Sequence, residues 1–204
     1  MEYRYSSHWI HELESETHWR LYWRQQKLMR ELVSSGDHVL EIGVGTGFTA
    51  NYLRSKGVHV TTLDIDAEKQ PDIVANVAHY DFPEHYEAIL AFEVFEHLPY
   101  GDFPPLLTKL SKAAGRHVFL SLPRNRRLVA SFNVKLPKLR AKTVQWKVKR
   151  GRIVEPYHVW ELDHDGVTVQ SLEDELARAG FSIVRQDEAF DRRFYALATR
   201  SDGP

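Results

Sequence analysis

The 204-residue sequence contains no cysteine, so neither a disulfide framework nor a thiolate metal site is available to it. No apolar run approaches the ~18 residues of a membrane-spanning helix. The opening stretch, MEYRYSSHWIHELESE, lacks the basic and apolar regions of a secretory signal. These absences lead to the expectation of a soluble, cytoplasmic protein. Repeats and low-complexity tracts are also missing. The length suits one domain with a real core, expected over 1–204, with 1–35 as a helical cap.

Charge of one sign is missing from one place. Eleven of the 27 Lys and Arg fall between Arg124 and Arg152, a stretch without a single Asp or Glu. The rest of the chain carries sixteen basic residues against 28 acidic ones. Such segregation marks 124–160 as a basic insertion or lid, either solvated or a docking surface for an anionic partner.

What is present alternates. Trp9, Leu13, Trp19, Tyr22, Trp23, Leu28 and Leu32 recur at roughly helical spacing over 9–35. Short apolar runs at 38–43, 58–66, 72–77, 87–95 and 116–123 read as strands, with helices expected after the first run and over 103–115. This rhythm predicts βαβ units and a parallel sheet. It breaks after 123 and returns with a helix at 171–181. FSIVRQDEAF and RRFYALATR then follow so closely that they must pair antiparallel.

Between the first strand and its helix lies VLEIGVGTGFTANYL, residues 39–53. Gly45-Thr-Gly47-Phe-Thr-Ala50 satisfies G-x-G-x-x-A, the dinucleotide fingerprint. Glu41-Ile-Gly43-Val-Gly45-Thr-Gly47 satisfies a second pattern, an acid followed by three alternate glycines. Glycines alone do not choose between the two, and a ligand-free tight turn uses the same residues. Asp64, ending the second strand, stands where a carboxylate can accept both hydroxyls of a ribose. About 80 residues after the fifth strand are too few for the substrate domain of a two-domain dehydrogenase.

Taken together, VLEIGVGTGFTANYL, the acid of TTLDID, ANVAHYDFPEHYEAIL and AFEVFEHLP resemble the class I S-adenosylmethionine-dependent methyltransferases. They are most similar to the small methyltransferase-domain group (type 11-like). That resemblance implies a Rossmann-like seven-stranded sheet of order 3-2-1-4-5-7-6 with strand 7 antiparallel, flanked by helices. It implies S-adenosyl-L-methionine as cofactor and S-adenosyl-L-homocysteine as product. Gly43, Gly45 and Gly47 would pass under the methionine end, with Glu41 beside them. Asp64 would take the ribose hydroxyls and Ile65 would pack on the adenine. Asn76 and Val77 would meet the adenine edge, Asn76 replacing a usual Asp; Phe92 and Glu93 would flank the methionine and the methyl group. Only seven residues separate Asp64 from Asp72, so the helix joining the second and third strands is expected to be shortened or lost.

The methyl acceptor leaves fewer marks. AFEV at the end of the fourth strand is not the Asn/Asp-Pro-Pro-Tyr of amino-group DNA methylation, and a cysteine-dependent C5-pyrimidine mechanism is excluded. His97 in FEHLP is the first candidate base, with backbone-satisfied packing as the alternative. His158, in PYHVWELDH with Tyr157, Trp160 and Glu161, is the second. His and Glu residues are too scattered along the chain to nominate a metal site, and none is expected. A small or lipid-like, anionic acceptor on oxygen or nitrogen is expected. The alternatives are RNA docked on the basic segment, or a non-catalytic binding protein.

Overall fold

A computed structural model describes residues 15–135 and 142–199. The expected N-terminal helix before residue 15, and Lys138 and Arg140 of the basic segment, lie outside the described residues.

Helix α1 spans Glu16–Met29, with Ser15 as its N-cap accepting from the His18 amide. It ends six residues short of the expected 35. Glu31 turns left-handed at φ 69°, and the Arg185 guanidinium donates to the carbonyls of Lys27, Leu28 and Arg30. A cation collecting the last carbonyls of a helix terminates it where sequence periodicity alone does not.

Strands β1 (His38–Ile42), β2 (His59–Asp64), β3 (Ile73–Val74), β4 (Tyr86–Phe92) and β5 (Ala114–Pro123) run parallel. Helix α2 (Phe48–Ser55) follows β1, and α3 (Phe103–Ala113) follows the loop after β4. A single 3₁₀ turn, Ala67–Lys69, replaces the helix between β2 and β3.

The basic segment is not irregular. It forms β6 (Arg126–Val134) and β7 (Lys142–Lys149), an antiparallel two-stranded ribbon outside the main sheet. After α4 (Val169–Arg178), β8 (Phe181–Ala189) and β9 (Arg192–Thr199) return to the sheet as a hairpin. The seven-stranded order is therefore β3-β2-β1-β4-β5-β9-β8, not 3-2-1-4-5-7-6 in chain numbering. The two ribbon strands account for the difference, because they add to the strand count without joining the sheet. β9 lies antiparallel between β5 and β8.

Period-two alternation divides the sheet's side chains between two cores. Val39, Ala88, Leu90, Phe119 and Phe194 pack against Leu21, Leu28 and Met29 of α1 and Ala50 and Leu53 of α2. Leu40, Ile89, Val118, Leu120 and Leu197 face the other way, toward Phe103, Leu106 and Leu110 of α3 and Leu172 and Leu176 of α4. Helices thus cover both faces, and the carboxyl ends of β1, β2 and β4 open at one edge. Ligands bind there in sheets of this kind. Among the described residues no helix is long and apolar enough to cross a membrane.

Candidate active site

A cavity of about 710 Å³ lies at that edge, within the size range of small-molecule sites. Glu41, Gly43, Gly45, Asp64, Ile65, Asn76, Val77, Phe92, Glu93, His97 and His158 all border it. Gly47 does not; it caps α2 at φ 74°. The sequence candidates, spread over more than a hundred residues, converge on one space.

The glycine loop is shaped by backbone that only glycine adopts cheaply. Gly43 turns at φ 79°, and a Cβ there would sit 2.6 Å from Val94 Cγ2. Gly45, at φ 54°, has nothing within 4 Å of the corresponding point. One glycine is required by packing, the other leaves space open. Tyr22 of α1 ties the loop down through its hydroxyl to Thr46 Oγ1 at 3.0 Å, so the helical cap contributes a wall of the cavity. Its neighbours Trp19 and Trp23 are about half exposed and do not border the cavity.

Under the loop, Glu41 is buried and its Oε2 has no hydrogen-bond partner among the described residues. Burial, with Asp64 nearby, pushes its carboxyl up to about 8 despite the Ala50 backbone and Arg54 acting to lower it. Such a group accepts a cationic donor readily and disfavours a pyrophosphate. Asp64 is also buried: it accepts from the amides of Val44 and Asp66, both at 2.9 Å, and from Lys69 Nζ at 3.1 Å. The carboxylate thereby fixes the loop, with acceptor capacity remaining on its two oxygens. Asn76 Oδ1 caps the turn Val77–His79 through the Ala78 amide, and Ile65 lies 40 % exposed at the rim.

Glu93, expected to flank the methionine and the methyl group, borders the cavity in an ion pair. It adopts φ 55° and accepts from Ser121 Oγ and from Arg192 Nε, both at 2.7 Å. Arg192 enters from the start of β9, a contact no local pattern announces.

At the far end, the turn Phe95–His97 meets the segment after the ribbon. Trp160 Nε1 donates to the carbonyls of Phe95 and Leu98, and the Val159 amide donates to the Glu96 carbonyl at 2.7 Å. This docking sets His97 and His158 edge to face, ring centres 5.1 Å apart. His97 Nδ1 bonds the Tyr157 carbonyl at 3.0 Å, and burial lowers its imidazole below the usual range, so it is neutral at pH 7. His158 Nδ1 bonds Glu161 Oε1 at 2.7 Å, and Glu161 also accepts from Asn125 Nδ2. Glu96, fully buried beside the two rings, is absent from the sequence candidates; the adjacent Glu-His pair in FEHLP is its only trace there. His and Glu residues scattered along the chain stand side by side in the fold: Glu96, His97 and His158 each bring a ligand atom within 4.8 Å of the others.

Solved structures share the fold. Magnesium protoporphyrin IX methyltransferase from Synechocystis PCC 6803, crystallised with bound SAM, superposes with TM-score 0.58 at 17 % identity, over 89 % of this chain and 78 % of that one. An S-adenosylmethionine-dependent methyltransferase from Clostridium acetobutylicum ATCC 824 gives 0.62 at 11 % identity, covering 94 % and 97 %. The glycopeptide N-methyltransferase MtfA in complex with SAM gives 0.56 at 14 %, covering 86 % and 92 %. No curated protein sequence matches this chain. A family model described as methyltransferase domain matches residues 16–186, from α1 through most of β8, and the chain belongs to that family.

Proposed function

We propose that this methyltransferase takes its methyl group from S-adenosylmethionine, releases S-adenosylhomocysteine, and methylates an oxygen or nitrogen of a lipid-like acceptor. The observation that carries the donor is the pairing, in one cavity, of the partnerless Glu41 Oε2 with Asp64 at the end of β2. Glu41 would receive the amino group of the methionine end, Asp64 the ribose hydroxyls, and the open face of Gly45 would admit the chain between them. Ile65, Asn76 and Val77 would border the adenine. The donor supplies a methyl group on a sulfonium, so the protein need only align the acceptor and dispose of its proton. His97 and His158 are the residues here suited to hold or remove that proton.

The acceptor class is read from the ribbon. Beyond a bulge between Leu128 and Ala130, strand pairing sets Ala130 opposite Trp146 and Phe132 opposite Val144. Phe132, Val134, Val144 and Trp146 are 46–63 % exposed. Ser131, Asn133, Thr143 and Gln145 occupy the other face. Meanwhile Arg124, Arg126 and Lys147 are engaged with Asp163, Glu188 and Asp191. An apolar face on a ribbon whose root cations are paired favours a lipid-like partner over RNA.

Calorimetry with S-adenosylmethionine, S-adenosylhomocysteine and NAD tests the donor: binding of the first two without NAD supports it, and NAD binding alone sinks it. Radiolabelled methyl transfer to a panel of hydroxylated lipids, against an RNA oligonucleotide, tests the acceptor. Label on RNA alone would overturn the lipid reading, and cofactor binding without transfer to either would favour a non-catalytic binder.

A further inference from the structure

Glu96 lies behind the cavity wall with no exposed surface, and among the described residues neither carboxylate oxygen has a hydrogen-bond partner. An ionised carboxylate in that state carries a heavy desolvation cost unless a cation meets it. His158 presents Nε2 at 3.9 Å from Glu96 Oε1. Its Nδ1 is engaged by Glu161, and in the tautomer that donates from Nδ1 the lone pair sits on Nε2. The bond from His97 Nδ1 to the Tyr157 carbonyl assigns the lone pair of that ring to Nε2 in the same way. Two imidazoles oriented through Nδ1 by outer acceptors, and a carboxylate lacking a donor beside them, form the arrangement by which proteins hold transition metals.

We propose that Glu96, His97 and His158 bind a divalent first-row cation, zinc or manganese, and that this cation holds the acceptor as a hydroxyl oxygen. Two nitrogens and one oxygen suit such ions better than magnesium, which prefers an all-oxygen shell. Bonds of about 2.0–2.2 Å would draw the three ligand atoms inward from their present spacing. His97 and His158 border the cavity while Glu96 lies behind them, so the remaining coordination position opens toward the reacting space. With both Nε2 atoms committed to the cation, His97 and His158 act as its ligands in place of a base, and the metal-bound hydroxyl loses its proton to water near neutral pH. The resulting oxygen forms its bond to the methyl carbon as the carbon–sulfur bond breaks. Sulfur keeps that electron pair and leaves as the neutral thioether. This step rests on the donor reading above, whereas the metal site itself does not.

The test uses the whole chain, stripped with EDTA and titrated by calorimetry with Zn²⁺, Mn²⁺ and Mg²⁺, and separately with S-adenosylhomocysteine. The expected result is one equivalent of Zn²⁺ or Mn²⁺ per chain, weakened at least about tenfold by Glu96→Gln and by His158→Asn. Loss of an orienting partner in Glu161→Gln should weaken it about 10–100-fold. S-adenosylhomocysteine affinity should persist in all three variants, which also certifies their folding. If no cation binds, or if Glu96→Gln and His158→Asn bind as tightly as the parent, the metal site is wrong. The S-adenosylhomocysteine titration then judges the donor reading by itself. Should the variants not fold, Co²⁺ in the unaltered chain decides: intense ligand-field absorption from a histidine-bound ion supports the site, and a spectrum like that of hydrated Co²⁺ overturns it.

Discussion

The two ends of the cavity are built by opposite strategies. The donor end comes from one stretch, residues 41–93, in which β1, β2 and β4 deliver Glu41, Gly43, Gly45, Asp64 and Phe92 to a common edge. The acceptor end joins His97 to His158 across sixty-one positions, through a tryptophan and a backbone amide that lock one loop onto another. The first end depends on strand order and glycine conformation. The second depends on tertiary docking, and it holds the fully buried Glu96. On the proposed assignment the difference teaches that donor recognition belongs to the sheet, and acceptor recognition to loops that can vary without disturbing it.

The largest effect should come from filling the donor end. Gly45→Val places its Cβ in open space, with backbone strain of about 1–3 kcal/mol from the left-handed φ of 54°. S-adenosylhomocysteine binding should fall below detection by calorimetry while the circular dichroism spectrum stays native. Gly43→Ala makes the contrast sharper, because its Cβ meets Val94 and should lower the melting temperature instead. Full binding by Gly45→Val would show that the donor does not pass this loop.

How far the site is legible in the sequence follows the same division. Glu41, Gly43, Gly45 and Asp64 are legible because strand ends and glycine turns are local, and the parallel sheet with its closing hairpin follows from spacing. Arg192 on Glu93, Arg185 on the end of α1, and Glu96 beside two histidines are not, since each partner arrives from a distant element. The ribbon escapes for another reason. Its charges alternate with apolar residues, but the bulge between Leu128 and Ala130 shifts the parity midway, so no single period runs through it. The basic character is visible in the sequence; its pairing with Asp163, Glu188 and Asp191 is not.

Next in size is Asp64→Ala. Losing charge-assisted bonds to the ribose should weaken S-adenosylhomocysteine by about 1.5–3 kcal/mol, roughly ten- to 150-fold. Because the same carboxylate holds the Val44 and Asp66 amides, the melting temperature should fall as well. A lower melting temperature with unchanged affinity would make Asp64 a loop anchor only, and would remove it from the donor end.

Glu41 predicts a smaller, pH-dependent effect. Its carboxyl titrates at about 8 in the fold, against the ordinary glutamate value of 4.5 expected of an unfolded chain, so between those values the folded state holds the extra proton. Stability from this group is full below about pH 4.5 and is lost as pH rises toward 8. Glu41→Gln lacks that slope, so the melting temperature of the parent should decline relative to the variant from pH 5 to 8. Binding of the methionine ammonium favours the ionised form, so S-adenosylhomocysteine should displace a proton at pH 7. Calorimetry in buffers of different ionisation enthalpy reads that release, and Glu41→Gln should show less. Equal release in both proteins would place the ammonium elsewhere.

The smallest effect on the fold should come from the acceptor side. Phe132 and Trp146 are 61 % and 63 % exposed on the ribbon's apolar face, and changing both to Ser should alter stability by no more than about 0.5 kcal/mol each. Melting temperature and S-adenosylhomocysteine affinity should therefore stay at parental values. Transfer to a lipid acceptor should nevertheless fall, through a higher KM rather than a lower kcat, if the ribbon recruits the acceptor, as proposed, without touching the reacting atoms. If KM holds, the exposed face plays no part in capture, and acceptor recognition contracts to the loops around His97 and His158. If kcat falls instead, the ribbon reaches into the reaction, and the separation between a donor end set by the sheet and an acceptor end set by loops no longer describes the molecule.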